Sequence, residues 1–354
     1  MQKRALGRTG LSIAPVVFGG NVFGWTADEQ TSFDLLDRFF EAGFDTIDTA
    51  DVYSSWVEGH VGGESEAIIG QWLKHGSVSR DRVTIVSKVG FDTQGRKTGL
   101  SAKWIQEAVD ASLQRLGTDH IDLYLAHKPD EDTPIEETLD AFDRLKRDGK
   151  VRAIGCSNYD AGQFKHSLDA ARNAGLPRFD VLQPEYNLYS RDRFEGPIRD
   201  LCLAEEIGVI SYYALAAGFL TGKYRKPEDT VNSSRAYRVG SYLDEKGHRI
   251  LGALDQVAAE TSTSPATVAI AWIAAQPGIT APIASATSLR QLDSLIAAGK
   301  LQLTKAQIDA LNAAGAWPPG HERRQVGVQP ASVPRQRKKS MKARSAGRIW
   351  RRLE

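Results

Sequence analysis

The chain of 354 residues is poor in cysteine and has no long apolar run. Its only two cysteines, Cys156 and Cys202, form neither a disulfide framework nor a CxxC or Cys/His metal motif, and such sparse use of cysteine is typical of a reducing compartment. The opening MQKRALGRTG lacks the apolar segment of a signal peptide, and no apolar stretch reaches the length of a membrane span. We therefore expect a cytoplasmic protein without a membrane segment.

Charge is nearly balanced overall but unevenly distributed along the chain. The formal net charge is +1, although residues 321–354 hold eleven Lys/Arg against two Glu. This basic segment has few apolar residues to offset the entropy of ordering, so we expect a disordered tail after a domain of residues 1–320. We expect the tail to be a solvated extension, and nucleic acid is not an expected partner. The alternative is that the tail contacts nucleic acid or another acidic surface.

Short β-branched runs alternate with amphipathic stretches, the pattern of repeated βα units with a parallel sheet. A hairpin over residues 5–15 is followed by predicted strands VVFGG from Val16, FDTID from Phe44, VTIVSK from Val83, IDLYLAH from Ile121, VRAIGCSN from Val151, DVLQ from Asp180, GVISY from Gly208 and ITAPIAS from Ile279. Eight such strands predict a closed (β/α)8 TIM barrel. An open doubly wound sheet, which would need fewer strands and a topological switch, is the alternative.

Helix boundaries support this organisation. Ser264 followed by Pro265 is typical of an N-cap with a proline at the first helical position, which predicts a second helix between the seventh and eighth strands. LTKAQIDALNAAG, from Leu303, predicts a last helix after the barrel closes. Three earlier helical patterns end on glycines that suit a C-cap, namely Gly43, Gly117 and Gly149. The predicted fold is thus a TIM barrel with an N-terminal β-hairpin and extra C-terminal helices.

Polar residues stand where the apolar strand runs end. Active sites of such barrels gather at the carboxyl ends of the strands, so these residues are the candidates for chemistry. One such residue alone could be a buried polar group satisfied by packing, but their coincidence at one rim predicts a site. They are Asp48 with Tyr53 shortly after it, Lys88, His127, Ser157, Asn158, Gln183 and Tyr212.

Several of these positions lie in longer motifs: LGRTGL, FDTIDTADVY with GGESEAIIG, IVSKVG, SLQRLGTDHIDLYLAH, GKVRAIGCSNY, LQPEYNLY and GFLTGKY. Through these motifs the chain resembles the aldo-keto reductase family, from Arg4 to about Ala316. The resemblance implies an NAD(P)H-dependent oxidoreductase that reduces aldehydes or ketones to alcohols. It also implies a catalytic tetrad of Asp48, Tyr53, Lys88 and His127.

Simple chemistry agrees with that tetrad. Reduction of a carbonyl needs a hydride at carbon and an acid at the developing oxyanion. Tyr53 would be the acid, and we expect the Lys88 ammonium to lower the pKa of its phenol while Asp48 keeps the lysine charged. His127, donating from a neutral ring, would orient the carbonyl oxygen. No side chain supplies a hydride, so a cofactor is required.

No GxGxxG, the dinucleotide-binding fingerprint, follows the first strand, so the cofactor must be bound in another way. The expected contacts are those that the resemblance implies. It implies that the nicotinamide amide is held by Ser157, Asn158 and Gln183, with Tyr212 stacked on the ring. It implies that the loop LAAGFLTGK wraps the pyrophosphate through Leu215, Ala217, Gly218, Leu220 and Lys223. The adenosine end would lie at a helix N-terminus, where free backbone N–H groups favour phosphate, beside Ser285, Thr287, Arg290 and Gln291.

Two stretches depart from the commoner family pattern. Many members have Tyr-Ser-Pro-Leu where this chain has Tyr212-Tyr213-Ala214-Leu215. Many also place a basic residue at the adenosine phosphate, whereas Ser285-Ala286-Thr287 has none and Arg290 is the nearest candidate. We therefore expect NADP(H) to be preferred by a smaller margin than in members with a lysine or arginine in this stretch, and NAD(H) to remain usable.

The substrate is expected to be a small carbonyl compound or alcohol. Trp25, Trp56 and Phe91 follow the first three strand ends and could line an apolar mouth or belong to ordinary packing. His60 has no second ligand at metal spacing, so no metal is expected. Two other functions stay open: a cofactor-binding regulatory subunit or redox sensor with little turnover, and a Schiff-base aldolase with Lys88 as nucleophile.

Overall fold

The structure is a computed structural model that describes residues 2–91, 99–231 and 235–317, with only the backbone described at Tyr237. The predicted tail of residues 321–354 and the predicted domain boundary at residue 320 lie outside this part of the chain. Both stay predictions.

The described residues form a closed barrel of eight parallel strands, as the sequence predicts. Neighbouring strands in the chain are neighbours in the barrel, and the last strand pairs with the first through Ile283 with Val17 and Ala284 with Phe18. The barrel strands are β3 (Val17–Gly19), β4 (Thr46–Asp48), β5 (Thr84–Val89), β6 (Ile121–Ala126), β7 (Val151–Ser157), β8 (Val181–Gln183), β9 (Gly208–Ser211) and β10 (Ala281–Ala284). The prediction of a TIM barrel is confirmed.

A short antiparallel hairpin precedes the barrel, again as predicted. Its strands are β1 (Arg4–Ala5) and β2 (Ser12–Ile13). Between them, Gly7 has a φ of 56°, and a Cβ built there would lie 2.5 Å from the Gly208 backbone nitrogen. The hairpin therefore lies directly against the amino-terminal end of β9, at the end of the barrel opposite the predicted site.

Helices surround the barrel between successive strands, and the extra C-terminal helices are present. Ser264 caps a helix that has Pro265 at its first position, and Gly43, Gly117 and Gly149 have the positive φ that suits a helix end. The helices are α1 (Glu29–Glu41), α2 (Glu64–His75), α3 (Ala102–Leu116), α4 (Ile135–Arg147), α5 (Ala161–Ala174), α6 (Pro197–Ala204), α7 (Ala236–Val239), α8 (Glu245–Glu260), α9 (Pro265–Ala274), α10 (Leu289–Ala298) and α11 (Lys305–Gly315).

Two hydrophobic clusters explain why the strands are apolar on both faces. The larger lies between the strands and the helices and contains residues such as Phe18, Tyr124 and Trp272. The smaller fills the interior of the barrel: Leu6, Ile13, Val17, Val86, Leu123, Leu125, Ala153, Val181, Ile210, Ala281 and Ile283. Strands buried on both faces read as continuous apolar runs, so the polar residues that end them stand out in the sequence.

Candidate active site

The strands carry polar side chains to the interior at their carboxyl ends. Because side chains alternate between the two faces of a strand, the residue two positions after an interior residue also points inward. Lys88 follows interior Val86 on β5, and Gln183 follows interior Val181 on β8. The same period of two brings three further predicted residues to this end of the barrel: His127, Ser157 and Tyr212.

Asp48, Tyr53 and Lys88 form one hydrogen-bonded cluster. Lys88 Nζ donates to Asp48 Oδ2 at 2.7 Å, to the Tyr53 hydroxyl at 2.9 Å and to the Thr49 carbonyl at 2.8 Å. The Tyr53 hydroxyl in turn donates to Asp48 Oδ2 at 3.1 Å. An ammonium has three N–H donors, so Lys88 has used them all. The arrangement therefore fixes the lysine beside the phenol oxygen.

The ion pair of Lys88 and Asp48 is enclosed, with 0% and 2% of the side chains exposed. Burial lowers the pKa of Lys88 from its usual value, and the Asp48 carboxylate opposes that shift. An enclosed charge of this kind is stable only with a partner, which each residue supplies to the other. A Schiff-base nucleophile needs a free amine lone pair, so these three hydrogen bonds do not favour the aldolase alternative.

Tyr53 differs from the expectation in one respect. Burial raises the pKa of the Tyr53 phenol well above its usual value, and the nearby Asp48 carboxylate raises it further. The expected lowering of this pKa is wrong, because desolvation and the neighbouring negative charge dominate it. The phenol is consequently protonated at neutral pH, the form that a proton donor requires.

His127 lies beside Tyr53, with their ring centroids 6.1 Å apart. Burial lowers the pKa of His127 well below its usual value, and the charges of Lys88 and Lys128 lower it further. The ring is therefore neutral at pH 7. Its Nδ1 is buried and has no hydrogen-bond partner among the described residues. An enclosed N–H without a partner is unfavourable, so the proton is better placed on Nε2, from which it can be donated.

Ser157, Asn158, Gln183 and Tyr212 form a second connected group. The Ser157 hydroxyl donates to the Gln183 carbonyl at 2.8 Å, and the Tyr212 hydroxyl donates to Asn158 Oδ1 at 2.6 Å. Asn158 Nδ2 donates to the His127 carbonyl at 2.8 Å and to Ser157 Oγ at 3.1 Å. The structure thus brings together the residues that the resemblance assigned to the nicotinamide, and it ties them to the histidine backbone.

One contact links the two groups and has no counterpart in the sequence-based expectations. Gln183 Nε2 donates to Asp48 Oδ1 at 2.7 Å, between side chains that are both buried. The same carboxylate therefore serves Lys88 and Tyr53 with one oxygen and Gln183 with the other.

A layer of buried polar residues behind Lys88 was also not predicted. Glu66 on α2 is completely enclosed and accepts from Ser87 Oγ at 2.5 Å and from Arg115 Nε at 2.7 Å. Burial, followed by the Glu66 charge, raises the pKa of neighbouring Asp51 well above its usual value. The Asp51 backbone N–H bonds the Lys88 carbonyl at 3.2 Å. The sequence signal for this layer was Glu66 in GGESEAIIG and Arg115 in SLQRLG, since each breaks an otherwise apolar helix face.

The loop after β9 adopts an unusual backbone where pyrophosphate contacts were expected. Within the short 3-10 helix Ala216–Thr221, Ala216, Ala217 and Gly218 have φ values of 46°, 57° and 95°. Such values are unfavourable for alanine and are retained where surrounding structure enforces them, commonly at functional sites. Of the other predicted residues here, Leu215 and Leu220 pack with the outer core, and Lys223 is exposed.

At the start of α10, the predicted adenosine residues adopt a capped helix N-terminus. Ser288 is the N-cap and accepts from the Gln291 backbone N–H. Gln291 Oε1 accepts from the Thr287 N–H at 2.9 Å and from its hydroxyl at 3.2 Å, and Ser285 Oγ donates to Asn21 Oδ1 at 2.6 Å. Arg290 is exposed, and no hydrogen bond or ion pair joins its side chain to the described residues.

The three aromatic residues expected at the mouth lie next to the tetrad. The Trp25 and Trp56 rings meet edge to face at 5.7 Å, and Trp56 meets Tyr53 at 6.0 Å. On the other side, Phe91 lies 5.0 Å from His127. The aromatic surface therefore flanks both the phenol and the imidazole.

A cavity of about 410 Å³ is bounded by Trp25 together with Gly24, Asp28, His60, Glu64 and Ile68 among others. None of the tetrad residues lines this cavity. Trp25 is thus shared between the cavity and the aromatic surface around Tyr53.

Residues 2–91, 99–231 and 235–317 contain no helix with both the length and the apolar composition of a membrane span. In the same ranges, no group of His, Cys, Asp or Glu side chains has an arrangement that could hold a metal ion. Both cysteines are buried and free.

Comparisons with known proteins point to one family. The model of the aldo/keto reductase family matches residues 15–316. Over 320 residues the chain is 34% identical to the uncharacterized oxidoreductase YrpG of Bacillus subtilis (strain 168), covering 88% of this chain and 95% of that protein. It is 33% identical over 300 residues to a probable voltage-gated potassium channel subunit beta of Oryza sativa subsp. japonica, covering 82% and 89%. It is 30% identical over 339 residues to versiconal hemiacetal acetate reductase of Aspergillus parasiticus, covering 88% and 96%.

Proposed function

This chain belongs to the aldo/keto reductase family of oxidoreductases, and we propose that it reduces aldehyde or ketone carbonyls to alcohols with a hydride from NADPH. One observation carries the proposal: a protonated phenol, Tyr53, lies 2.9 Å from the enclosed Lys88 ammonium at the carboxyl ends of the strands. The similarity to a protein named versiconal hemiacetal acetate reductase supports the proposal that this chain is a reductase.

Tyr53 is the proton donor in this proposal. Its hydroxyl would turn from Asp48 Oδ2 toward the substrate oxygen, a rotation that breaks only the 3.1 Å hydrogen bond. As the proton leaves, negative charge develops on the phenol oxygen, which already accepts from Lys88. A fixed ammonium stabilises that charge without rearrangement, so it helps the transition state more than the ground state. Asp48 keeps the ammonium charged and in place.

His127 positions the substrate oxygen in this proposal. A neutral ring with its proton on Nε2 donates one hydrogen bond and does not compete as an acid with Tyr53. Two donors on a single carbonyl oxygen fix which face of the carbon is presented. The aromatic surface of Trp25, Trp56 and Phe91 would exclude water and hold the apolar part of the substrate.

The residues at the strand ends fit a nicotinamide cofactor, which would supply the hydride. Ser157 Oγ, Asn158 Oδ1 and Gln183 Oε1 offer acceptor lone pairs beside Tyr212, and a carboxamide NH2 needs acceptors. Ala217 and Gly218 have the compact left-handed backbone that lets a loop approach a pyrophosphate closely, and Lys223 adds charge. The α10 N-terminus, with Ser285, Thr287 and Gln291 around it, suits an adenosine phosphate.

A preference for NADPH over NADH is part of the proposal. The exposed Arg290 guanidinium on the first turn of α10 has no partner among the described residues, so it is available to the extra phosphate. NADH would lack that contact but would keep the others, so it should remain usable.

A regulatory subunit with little turnover is the second candidate function. A relative of 33% identity is named a probable voltage-gated potassium channel subunit beta, and this is the observation that favours it. Such a subunit could keep the tetrad and the cofactor while its reduction step is slow.

Steady-state NADPH oxidation with a panel of aldehydes, ketones and sugars separates the two candidates. A carbonyl reductase should give repeated turnover with at least one class, with alcohol formed in equal amount to NADPH consumed. Oxidation limited to one equivalent of bound NADPH over hours, with every carbonyl tested, would favour the regulatory subunit. Absence of NADPH binding would contradict both.

A further inference from the structure

We propose that Asp48 is a positioning residue for the cofactor. By accepting from the side-chain NH2 of Gln183, it fixes which end of the Gln183 amide faces the nicotinamide. This inference rests on the proposed function and deepens it. It makes one carboxylate responsible both for the proton-donating cluster and for the orientation of the hydride donor.

The two oxygens of Asp48 serve different partners. Oδ2 accepts from Lys88 Nζ at 2.7 Å and from the Tyr53 hydroxyl at 3.1 Å, whereas Oδ1 accepts from Gln183 Nε2 at 2.7 Å. Both Asp48 and Gln183 are 2% exposed, so water does not replace these contacts. A carboxylate in an ion pair can only accept hydrogen bonds. Gln183 must therefore point its NH2 at Asp48 and its Oε1 away from it.

The backbone of Gln183 is held as firmly as its amide. Gln183 pairs with Ser157 across β7 and β8, and its carbonyl accepts from Ser157 Oγ at 2.8 Å. No described residue donates to Gln183 Oε1, and that oxygen is not among the fully enclosed polar atoms without a partner. It is therefore an oriented acceptor without a donor among the described residues.

The neighbouring side chains have no donor left to offer. The Ser157 hydroxyl proton goes to the Gln183 carbonyl, and Asn158 Nδ2 gives its two hydrogens to the His127 carbonyl and to Ser157 Oγ. What remains is a set of acceptors: lone pairs on Ser157 Oγ and Asn158 Oδ1, and Gln183 Oε1. Such a set matches the NH2 end of a carboxamide. A reversed Gln183 amide would oppose that NH2 with another NH2.

Asp48→Asn should cause this reversal. Lys88 can bond only to an acceptor, so it would take the oxygen of the new amide and leave the new NH2 facing Gln183. Gln183 would then have to present Oε1 to it and turn its own NH2 toward the cofactor. One opposed pair of donors at an enclosed site weakens binding by about tenfold, equivalent to one lost hydrogen bond.

The test measures dissociation constants for two ligands: NADP⁺, and 2′-phospho-ADP-ribose, which lacks the nicotinamide. Wild type, Asp48→Asn, Gln183→Leu and the double variant are compared by isothermal titration. Each single change should weaken NADP⁺ by about tenfold and leave 2′-phospho-ADP-ribose unchanged, and the double variant should be no weaker than either single one. Gln291→Leu, at the adenosine end, is the matched control and should affect both ligands equally.

A second variant removes the cause of the reversal. In Asp48→Asn/Lys88→Met no ammonium takes the new oxygen, so the amide can turn and accept from Gln183 again. Affinity for NADP⁺ relative to 2′-phospho-ADP-ribose should return toward that of wild type. This pair is neutral on both sides, so it also avoids an unpaired buried charge if the single variant does not fold.

The outcomes separate the inference from the proposed function. Additive losses in the double variant, equal weakening of both ligands by Asp48→Asn, or no recovery with Lys88→Met would overturn the role of Asp48 in cofactor orientation. If wild type binds neither ligand, the proposed function itself fails.

Discussion

Lys88 Nζ lies 2.7 Å from Asp48 Oδ2 in a part of the barrel where neither side chain is exposed by more than 2%. The pair joins β5 to β4 inside the barrel, and it sets the charge next to Tyr53. Stability and the proposed chemistry therefore depend on the same contact.

Lys88→Met should destabilise the protein strongly, because it leaves the Asp48 carboxylate buried without its cation. Breaking a buried pair by removing one partner typically costs about 3–5 kcal/mol. Urea unfolding should show this loss, and adding Asp48→Asn should recover part of it. The matched control is Lys305→Met, which breaks the exposed pair with Asp309 on α11 and should change stability little. Equal effects of the two substitutions would contradict the account of the buried pair.

His127 should make the protein sensitive to acid. Its pKa is well below 6.5 in the folded chain, so below about pH 6.5 the unfolded chain binds a proton that the folded chain does not. The part of the unfolding free energy that depends on a neutral His127 is fully present above pH 6.5. It is lost as the pH falls, by up to about 1.4 kcal/mol per pH unit. Urea unfolding at pH 7, 6 and 5 should show a smaller decline for His127→Gln than for wild type. His166→Gln, at an exposed position, should keep the wild-type decline.

The hairpin offers a test of the fold through two glycines. Gly7 and Gly10 both have positive φ, at 56° and 78°, so alanine is strained at either position. An added Cβ at Gly7 meets the Gly208 nitrogen at 2.5 Å and the Asp180 carbonyl at 2.6 Å, whereas nothing lies within 4 Å at Gly10. Gly7→Ala should therefore be less stable than Gly10→Ala by about 1–3 kcal/mol. Equal melting temperatures would mean that the hairpin does not pack against β9.

Arg290 should set the preference between cofactors. A hydrogen bond to a charged group is worth about 1.5–3 kcal/mol, so one arginine can give roughly tenfold to a hundredfold discrimination for the extra phosphate. Arg290→Ala should bring kcat/KM for NADPH and NADH close together, mainly by lowering the value for NADPH. Arg249→Ala on α8, another exposed arginine, is the control and should leave the ratio unchanged. If the ratio does not move in Arg290→Ala, another group holds that phosphate.

Much of the site could be predicted because its residues end strands whose interior faces are otherwise apolar. Lys88 and Gln183 each lie two positions after a buried interior valine, so side-chain alternation along the strand places them inside the barrel. This alternation can be recognised from a single sequence. The helix caps at Gly117 and Ser264 were predictable for a similar reason, since each depends on local backbone chemistry.

What could not be predicted depends on distances between separate strands. Asp48 and Gln183 are 135 positions apart, and their contact follows from the closure of the barrel. The pKa of Tyr53 was predicted with the wrong sign, because a motif identifies the lysine beside the phenol but not the degree of burial or the shared carboxylate. The left-handed conformation of Ala217 has no sequence signal either, since alanine rarely adopts it.

The most direct test of the central claim is the rate of carbonyl reduction by Tyr53→Phe, measured together with its NADPH dissociation constant. The change removes only the hydroxyl oxygen, so cofactor affinity should stay within about twofold of wild type. General acid catalysis contributes roughly 10²–10⁴-fold, and kcat should fall by at least the lower figure. A variant that keeps more than about a tenth of wild-type kcat with unchanged NADPH binding would show that Tyr53 is not the proton donor.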